Sequence, residues 1–210
     1  MNIKAITIED FVNYKKPSMF IGTGVCDWKC CVEGGFDTSV CQNSSLAQSP
    51  IKNISNQHLI SLYTNNSITQ AIVIGGLEPL HETVLQDTLQ FIHDVRMVTN
   101  DDIAIYTGYY PREIIEVLQE LTEYENIIFK FGRYVPNRPK VHDPVLGIEL
   151  ASDNQYGAKL LPHRQEIILD LELNKGFCPC MVNKNDNTKC CCLAFRKQKQ
   201  GDCHCGIFTK

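Results

Sequence analysis

Eleven cysteines stand in this chain of 210 residues, and all of them lie in two groups near its ends. Cys26, Cys30, Cys31 and Cys41 form the first group. Cys178, Cys180, Cys190, Cys191, Cys192, Cys203 and Cys205 form the second, and no cysteine lies between Cys41 and Cys178. Thiols collected in short loops can converge on one centre, whereas a disulfide framework spreads its cysteines along the chain. Two separate metal or redox sites are therefore expected, built on sulfur with iron or zinc.

The rest of the composition is that of an ordinary globular protein, 43% hydrophobic and 21% charged. The opening stretch MNIKAITIEDFVNYKK has acidic residues and no apolar core, unlike a signal peptide. The most apolar run, Ala71 to Gly76, is far too short to span a bilayer. A cytoplasmic location with reduced, metal-competent thiols and no membrane partner is the expectation. A net charge of −4 gives no footing for nucleic acid. The only basic run, Arg196-Lys197-Gln198-Lys199, reads as a solvated connector in preference to a phosphate-binding patch.

Apolar runs bounded by turn signals recur over the first 150 residues. Ser18–Gly24, Ala71–Gly76, Asp102–Gly108 and Asn126–Gly132 each read as a short buried strand. Between them, His81–Val98 and Pro111–Tyr124 carry apolar residues at helical spacing, the second opening on a first-turn proline. Strands alternating with helices predict parallel βαβ units, too few for an eight-fold barrel, and so an open sheet or partial (β/α) barrel. Chemistry in such sheets gathers at the carboxyl ends of the strands. Both the first cysteine group and Gly75-Gly76-Leu77-Glu78-Pro79 follow a predicted strand directly, which places them on one edge.

The last stretch differs. From Gly176 to Lys210, seven of 35 residues are cysteine and large aliphatics are few, so a cross-link or metal is expected to hold it. A helix over Gln165–Asn174 leads in. The composition divides the chain near residue 160, into domains 1–160 and 161–210.

Cys26 and Cys30, with three residues between them on a loop, can bind two irons of one cubane, and a third cysteine would leave the fourth iron open for a ligand. Cys31 adjoins Cys30, a poor geometry for two ligands of one cube; Cys41 is the other candidate. Successive glycines at Gly75-Gly76 let backbone approach a ligand closely, or simply make a tight strand-to-helix turn. Glu78 reads equally as ligand support or as an acid at a helix start. Thr107 and Tyr109 suit either strand-end packing or cofactor contact, and Trp28 suits ordinary packing.

Over residues 18–160 the sequence resembles the radical S-adenosylmethionine activases of anaerobic ribonucleotide reductase. Cys26, Cys30 and Cys41-Gln42-Asn43 are similar to that family's three cluster cysteines, with Cys31 to Val40 as an insertion and Gln42 in place of an aromatic residue. Gly75-Gly76-Leu77-Glu78-Pro79-Leu80 is similar to its glycine-rich stretch, with Leu77 inserted. Ile105-Tyr106-Thr107-Gly108-Tyr109 resembles its Trp-Thr-Gly-Tyr strand end, Phe131-Gly132-Arg133-Tyr134 its Gly-Arg/Lys-Phe segment, and Ser152-Asp153-Asn154-Gln155 its Ser-Asn-Gln. The resemblance implies a partial (β/α) barrel of radical SAM type and a [4Fe–4S] cluster on Cys26, Cys30 and Cys41. It also implies S-adenosyl-L-methionine bound by Gly75, Gly76, Glu78, Pro79, Thr107 and Asn154, and the glycyl-radical subunit of the reductase as partner.

Cys178-Pro179-Cys180, Cys190-Cys191-Cys192 and Cys203-His204-Cys205 are three close triplets within 28 residues, a pattern that speaks for a cluster or for zinc. This segment resembles the catalytic subunit of ferredoxin–thioredoxin reductase, most closely at Cys203-His204-Cys205-Gly206-Ile207-Phe208, with Cys191 where that family has proline. The resemblance implies a second [4Fe–4S] cluster on Cys178, Cys190, Cys192 and Cys203. It implies a redox-active disulfide of Cys180 and Cys205, with His204 as proton donor or thiolate stabiliser, and a ferredoxin, flavodoxin or thioredoxin-like carrier as electron partner. The function expected is a glycyl-radical activase with an appended thiol–disulfide or electron-transfer segment. The rivals are a radical enzyme acting on a small molecule, an iron–sulfur disulfide reductase that leaves S-adenosylmethionine uncleaved, and a zinc-stapled adaptor.

Overall fold

The four apolar runs become the parallel centre of one sheet. In the computed structural model, which describes residues 1–210, the strands are β1 (Asn2–Asp10), β2 (Ser18–Thr23), β3 (Lys52–Asn53), β4 (Ala71–Gly75) and β5 (Asp102–Tyr106). They continue as β6 (Ile127–Phe131), β7 (Val141–Asp143), β8 (Ile148–Leu150), β9 (Tyr156–Leu160) and β10 (Phe208–Thr209). The helices are α1 (Lys29–Gly34), α2 (Ser44–Gln48), α3 (Asn56–Thr64), α4 (Glu82–Arg96), α5 (Ile115–Leu121), α6 (Gln165–Leu173) and α7 (Leu193–Lys197). The eight-stranded sheet runs β10-β9-β6-β5-β4-β2-β1-β3, and β7 pairs only with β8. Strands β2, β4, β5 and β6 are mutually parallel, with Gly22 level with Gly75. Outside them β1 and β9 run antiparallel. The fold is thus a mixed α/β sheet with a parallel centre.

Residue-by-residue alternation divides the sheet's two faces. On one face Ile72, Ile74, Ile103, Ile105, Ile127 and Phe129 meet α3, α4 and α5, whose Leu59, Phe91, Ile92 and Leu118 are fully buried. On the other, Val73, Ala104 and Ile128 pack under the β7–β8 hairpin with Tyr14, Val145, Leu146 and Leu150. The hairpin is tied down by the buried Asp143 carboxylate, which accepts from the backbone N–H of Val145, Leu146 and Gly157.

The cysteine-rich tail belongs to the same core. Its last strand, β10, pairs with β9 and extends the sheet, and Phe208 is fully buried against Phe131, with ring centroids 5.6 Å apart and planes at 80°. Cys178, Cys190, Cys191, Cys192 and Cys203 pack into the same apolar cluster as the strands. The division expected at residue 160 is therefore a change of composition and not a break in the core. A segment with few aliphatics of its own folds here by borrowing the sheet's face.

Candidate metal centres

Every loop that leaves the parallel centre delivers something to one cavity. After β2 come Cys26 and Cys30; after β4, Gly76 and Glu78; after β5, Thr107, Gly108 and Tyr109; after β6, Gly132 and Tyr134; and Gln155 stands just before the antiparallel β9. The cavity measures about 120 Å³, and its walls include Cys26, Cys30, Cys41, Gly76, Glu78, Lys130 and Gln155. It shares Cys41, Gly76, Tyr106, Lys130 and Gln155 with a second cavity of about 210 Å³ under the hairpin.

The segment from Cys31 to Val40 explains how a distant third cysteine reaches the site. Trp28 adopts a left-handed conformation (φ 58°) and starts α1, and Gly35 (φ 66°) ends it. A 3-10 turn over Thr38–Val40, capped by Asp37, then returns the chain so that Cys41 faces the cavity. Cys31 is buried away from it. Two sulfurs already accept backbone hydrogen bonds: Trp28 N–H donates to Cys26 Sγ at 3.3 Å, and Tyr134 N–H donates to Cys30. Burial pushes the Cys26 thiol up to about 12, and it also raises Cys30, against the Tyr134 N–H and the positive charges of Lys130 and Arg133. In the metal-free chain these thiols hold their protons, which a metal must displace. Lys130 is lowered by its own burial, opposed by Cys30, Glu78 and Cys41.

The frame of the site is polar and fully used. Glu78 is buried, and it accepts from Thr107 Oγ1 at 2.7 Å, Gly108 N–H at 2.8 Å and Leu80 N–H at 3.1 Å. Burial raises its carboxyl to about 7, against those three hydrogen bonds. Thr107 in turn accepts from Tyr109 N–H, and Tyr109 OH donates to Asp27 at 2.8 Å. Arg133, only 5% exposed, donates to Glu33 on α1, to Glu113 and to the Gly108 carbonyl.

These contacts sort the residues expected to hold S-adenosylmethionine. Gly76 (φ 79°) lines both cavities, and a Cβ there would come within 2.5 Å of Leu46 Cδ2. Gly75 is a packing residue, since a Cβ on it would stand 2.8 Å from Tyr106 Cβ. Pro79 is buried, and its carbonyl accepts from Thr88. Glu78 and Thr107 line the cavity but are hydrogen-bonded to each other. Asn154 faces a different cavity, and its Nδ2 donates to the Arg133 carbonyl at 2.7 Å. Its neighbour Gln155 is 5% exposed and lines the cavity, and its Oε1 is buried with no hydrogen-bond partner. Lys130 is not singled out by the sequence, and Gln155 appears there only within Ser152-Asp153-Asn154-Gln155, with no role of its own. Lys130 interrupts an apolar strand, Ile-Ile-Phe-Lys-Phe, and that interruption was the available signal.

The tail gathers its thiols on the opposite face. Cys178 and Cys180 Sγ lie 3.1 Å apart, Cys203 and Cys205 Sγ 3.3 Å apart. These contacts set Cys180 beside Cys178 and Cys205 beside Cys203. Cys192 and Cys205 also act on the Cys178 thiol, and Cys191 acts on Cys190 and on Tyr156. All eleven cysteines are free thiols. Cys203 is held below the ordinary thiol value by a hydrogen bond from Cys205, then, against burial, by the N–H groups of Phe208 and Ile207 at 3.1 and 3.2 Å. His204 is exposed. Cys178, Cys190, Cys191, Cys192 and Cys203 are buried, whereas Cys180 and Cys205 are partly open to solvent.

Nowhere do three or more His, Cys, Asp or Glu side chains gather at single-ion distance. Thiolates on a cubane bind different irons and surround the cluster instead of meeting at a point. The first group's arrangement around a cavity, with N–H···S bonds and one unpartnered acceptor, fits a cluster with an exchangeable ligand. No family model, curated protein or solved structure matches this chain. No helix is long and apolar enough to cross a membrane.

Proposed function

We propose that this chain is a radical S-adenosylmethionine activase that generates a glycyl radical on an anaerobic ribonucleotide reductase, its sheet being a partial barrel of that type. The observation that carries the reading is the meeting of Cys26, Cys30, Cys41, Gly76 and the unpartnered Gln155 Oε1 in one cavity at the carboxyl ends of four parallel strands. A [4Fe–4S] cluster with one open iron, with S-adenosylmethionine bound, would supply one-electron cleavage of the sulfonium to methionine and a 5′-deoxyadenosyl radical.

The chain's own part is binding, orientation and exclusion of water. Cys26, Cys30 and Cys41 would hold the cluster; the Trp28 N–H favours the thiolate form of Cys26, and the Tyr134 N–H that of Cys30. Lys130 sets a positive charge against those thiolates. Gln155 Oε1 offers an acceptor to an ammonium or amino group of the cofactor, and Gly76 allows backbone to approach it. Glu78, Thr107 and Arg133 hold the four loops in register, so they are positioning residues.

For the tail we propose electron delivery, to the first site or to a disulfide on the reductase or a thioredoxin-like carrier. Its burial pattern supports the division that the resemblance implies. Cys178, Cys190, Cys192 and Cys203 lie inside, where a cluster would be shielded, and Cys180 and Cys205 are within reach of a partner. The same exposure favours, as a second reading, a disulfide reductase that leaves S-adenosylmethionine intact.

The test is anaerobic turnover of the reconstituted full chain with dithionite, S-adenosylmethionine and the reductase. Formation of 5′-deoxyadenosine with a glycyl-radical signal on the reductase is expected. Disulfide reduction without 5′-deoxyadenosine would replace this reading with the second. Loss of neither activity on deleting residues 176–210 would remove the tail from the mechanism.

A further inference from the structure

A cavity of about 530 Å³ lies beside α7, the β7–β8 hairpin and the segment before β9; Gln155 is the one residue it shares with the first cysteine site. Its walls include Arg138, Asn154, Arg196, Lys197, Lys199 and Lys210. The basic run that reads as a solvated connector in sequence therefore forms the wall of a concavity. Two acids share it, and both are already engaged. Asp143 spends its carboxylate on three backbone N–H groups, and Asp153 pairs with Arg138. Arg196, Lys197, Lys199 and Lys210 are left without an acidic partner across the cavity.

Two buried polar atoms of the lining residues have no hydrogen-bond partner, Arg196 Nε and Asn154 Oδ1. A guanidinium N–H buried without an acceptor is costly, and a bound oxyanion removes that cost. Arg matches planar, multidentate recognition of phosphate, and lysines around it add point charges. The volume exceeds what a single phosphate fills and lies within the range of roughly 300–1,000 Å³ typical of small-molecule sites. An acidic protein surface fits such a concavity less well than a compact ligand.

We infer that this cavity binds a phosphate-bearing small molecule of nucleotide size, with Arg196, Lys197, Lys199 and Lys210 in its walls. The site is independent of the reading proposed for the first cavity. It also abuts the second cysteine group: Arg196 lines a further cavity of about 330 Å³ together with Tyr156, Cys190 and Cys191, and α7 begins directly after Cys192. Occupancy would therefore change the charge next to the tail's thiols.

The experiment is isothermal titration calorimetry on the intact purified protein, with ATP, inorganic tripolyphosphate and orthophosphate as probes at near-physiological salt. Saturable one-to-one binding of ATP or tripolyphosphate is expected. The two probes distinguish a nucleotide from a free polyphosphate, tighter binding of ATP pointing to a contact with the base. The double substitution Lys197→Gln/Lys199→Gln, at exposed side chains that leave the fold intact, should weaken binding by about tenfold or more, since charge-assisted contacts to phosphate are lost. Lys52→Gln, an exposed lysine on β3, should bind as the wild type does. Absence of saturable binding by ATP and tripolyphosphate would overturn the inference, and so would a Lys197/Lys199 double variant that binds like wild type or a Lys52 variant weakened equally.

Discussion

Replacing Arg133 by methionine tests how the cysteine loop is held to the sheet. The guanidinium makes a two-point contact with Glu113, both bonds at 2.8 Å, and a second with Glu33 at 2.8 and 3.1 Å. It also donates to the Gly108 carbonyl at 2.6 Å. The Glu33 side chain is 53% exposed, so after screening that pair contributes about 0.5 kcal/mol. The Glu113 side chain is 24% exposed and the contact bidentate, which puts it near 2 kcal/mol, to order of magnitude. The bond to the Gly108 carbonyl, from a charged donor, adds about 1 kcal/mol. Methionine keeps most of the apolar stem, so Arg133→Met should cost about 3 kcal/mol in urea unfolding, or about 9 °C of melting temperature for a chain of this size. The pH dependence has a definite sign. Burial alone would raise the Glu113 carboxyl, but the Arg133 guanidinium and the Tyr110 N–H override it and hold Glu113 below the usual 4.5. A depressed folded value gives stability that is complete above 4.5 and is lost as the pH falls through the folded value. The gap between wild type and variant should therefore narrow in acid. Glu33 lies on the helix that carries Cys30, so the variant should also retain less iron after anaerobic desalting. A loss under about 1 kcal/mol with an unchanged acid limb would refute this reasoning.

Four further substitutions probe other joints. Gly76→Ala combines a positive φ with a 2.5 Å approach to Leu46 and should cost about 2 kcal/mol in urea unfolding; Gly35→Ala, with φ 66° and open space around it, should cost about 1 kcal/mol from backbone strain alone. Gln155→Leu removes an unpartnered buried carbonyl and should change stability by less than about 1 kcal/mol, while weakening S-adenosylmethionine binding measured by equilibrium dialysis on the reconstituted protein. Phe208→Ala opens a cavity beside Phe131 and Phe195 and should cost about 3–5 kcal/mol, which a tail folded independently of the sheet would not transmit to the global transition.

The parallel centre was readable in sequence because its strands are buried on both faces and appear as unbroken apolar runs. Ile-Val-Ile before Gly75 and Ile-Ile-Phe before Lys130 need no partner information to be recognised. Strand β1 escaped because half its side chains face solvent, and β9 because Gly157 and Lys159 interrupt it. Strand β10 has two residues and exists only because β9 offers an edge. The site followed the same rule. Cysteine spacing flagged the thiols, and the rule that chemistry gathers at strand ends placed them together. What spacing could not convey was partnership: Glu78 and Thr107 turn out to satisfy each other, and Gln155 lines the cysteine cavity while Asn154 does not. For the basic run 196–199, sequence shows the charge but not the concavity around it.

The claim on which the function rests is that Cys41, and not the nearer Cys31, is the third holder of the first cluster. Electron paramagnetic resonance of anaerobically reconstituted, reduced protein, recorded with and without S-adenosylmethionine, decides it when Cys41→Ser and Cys31→Ser are compared. The account predicts that Cys31→Ser keeps its iron and its spectral change on adding the cofactor, and that Cys41→Ser loses both at the first site. A Cys41→Ser protein whose signal still responds to S-adenosylmethionine would contradict it.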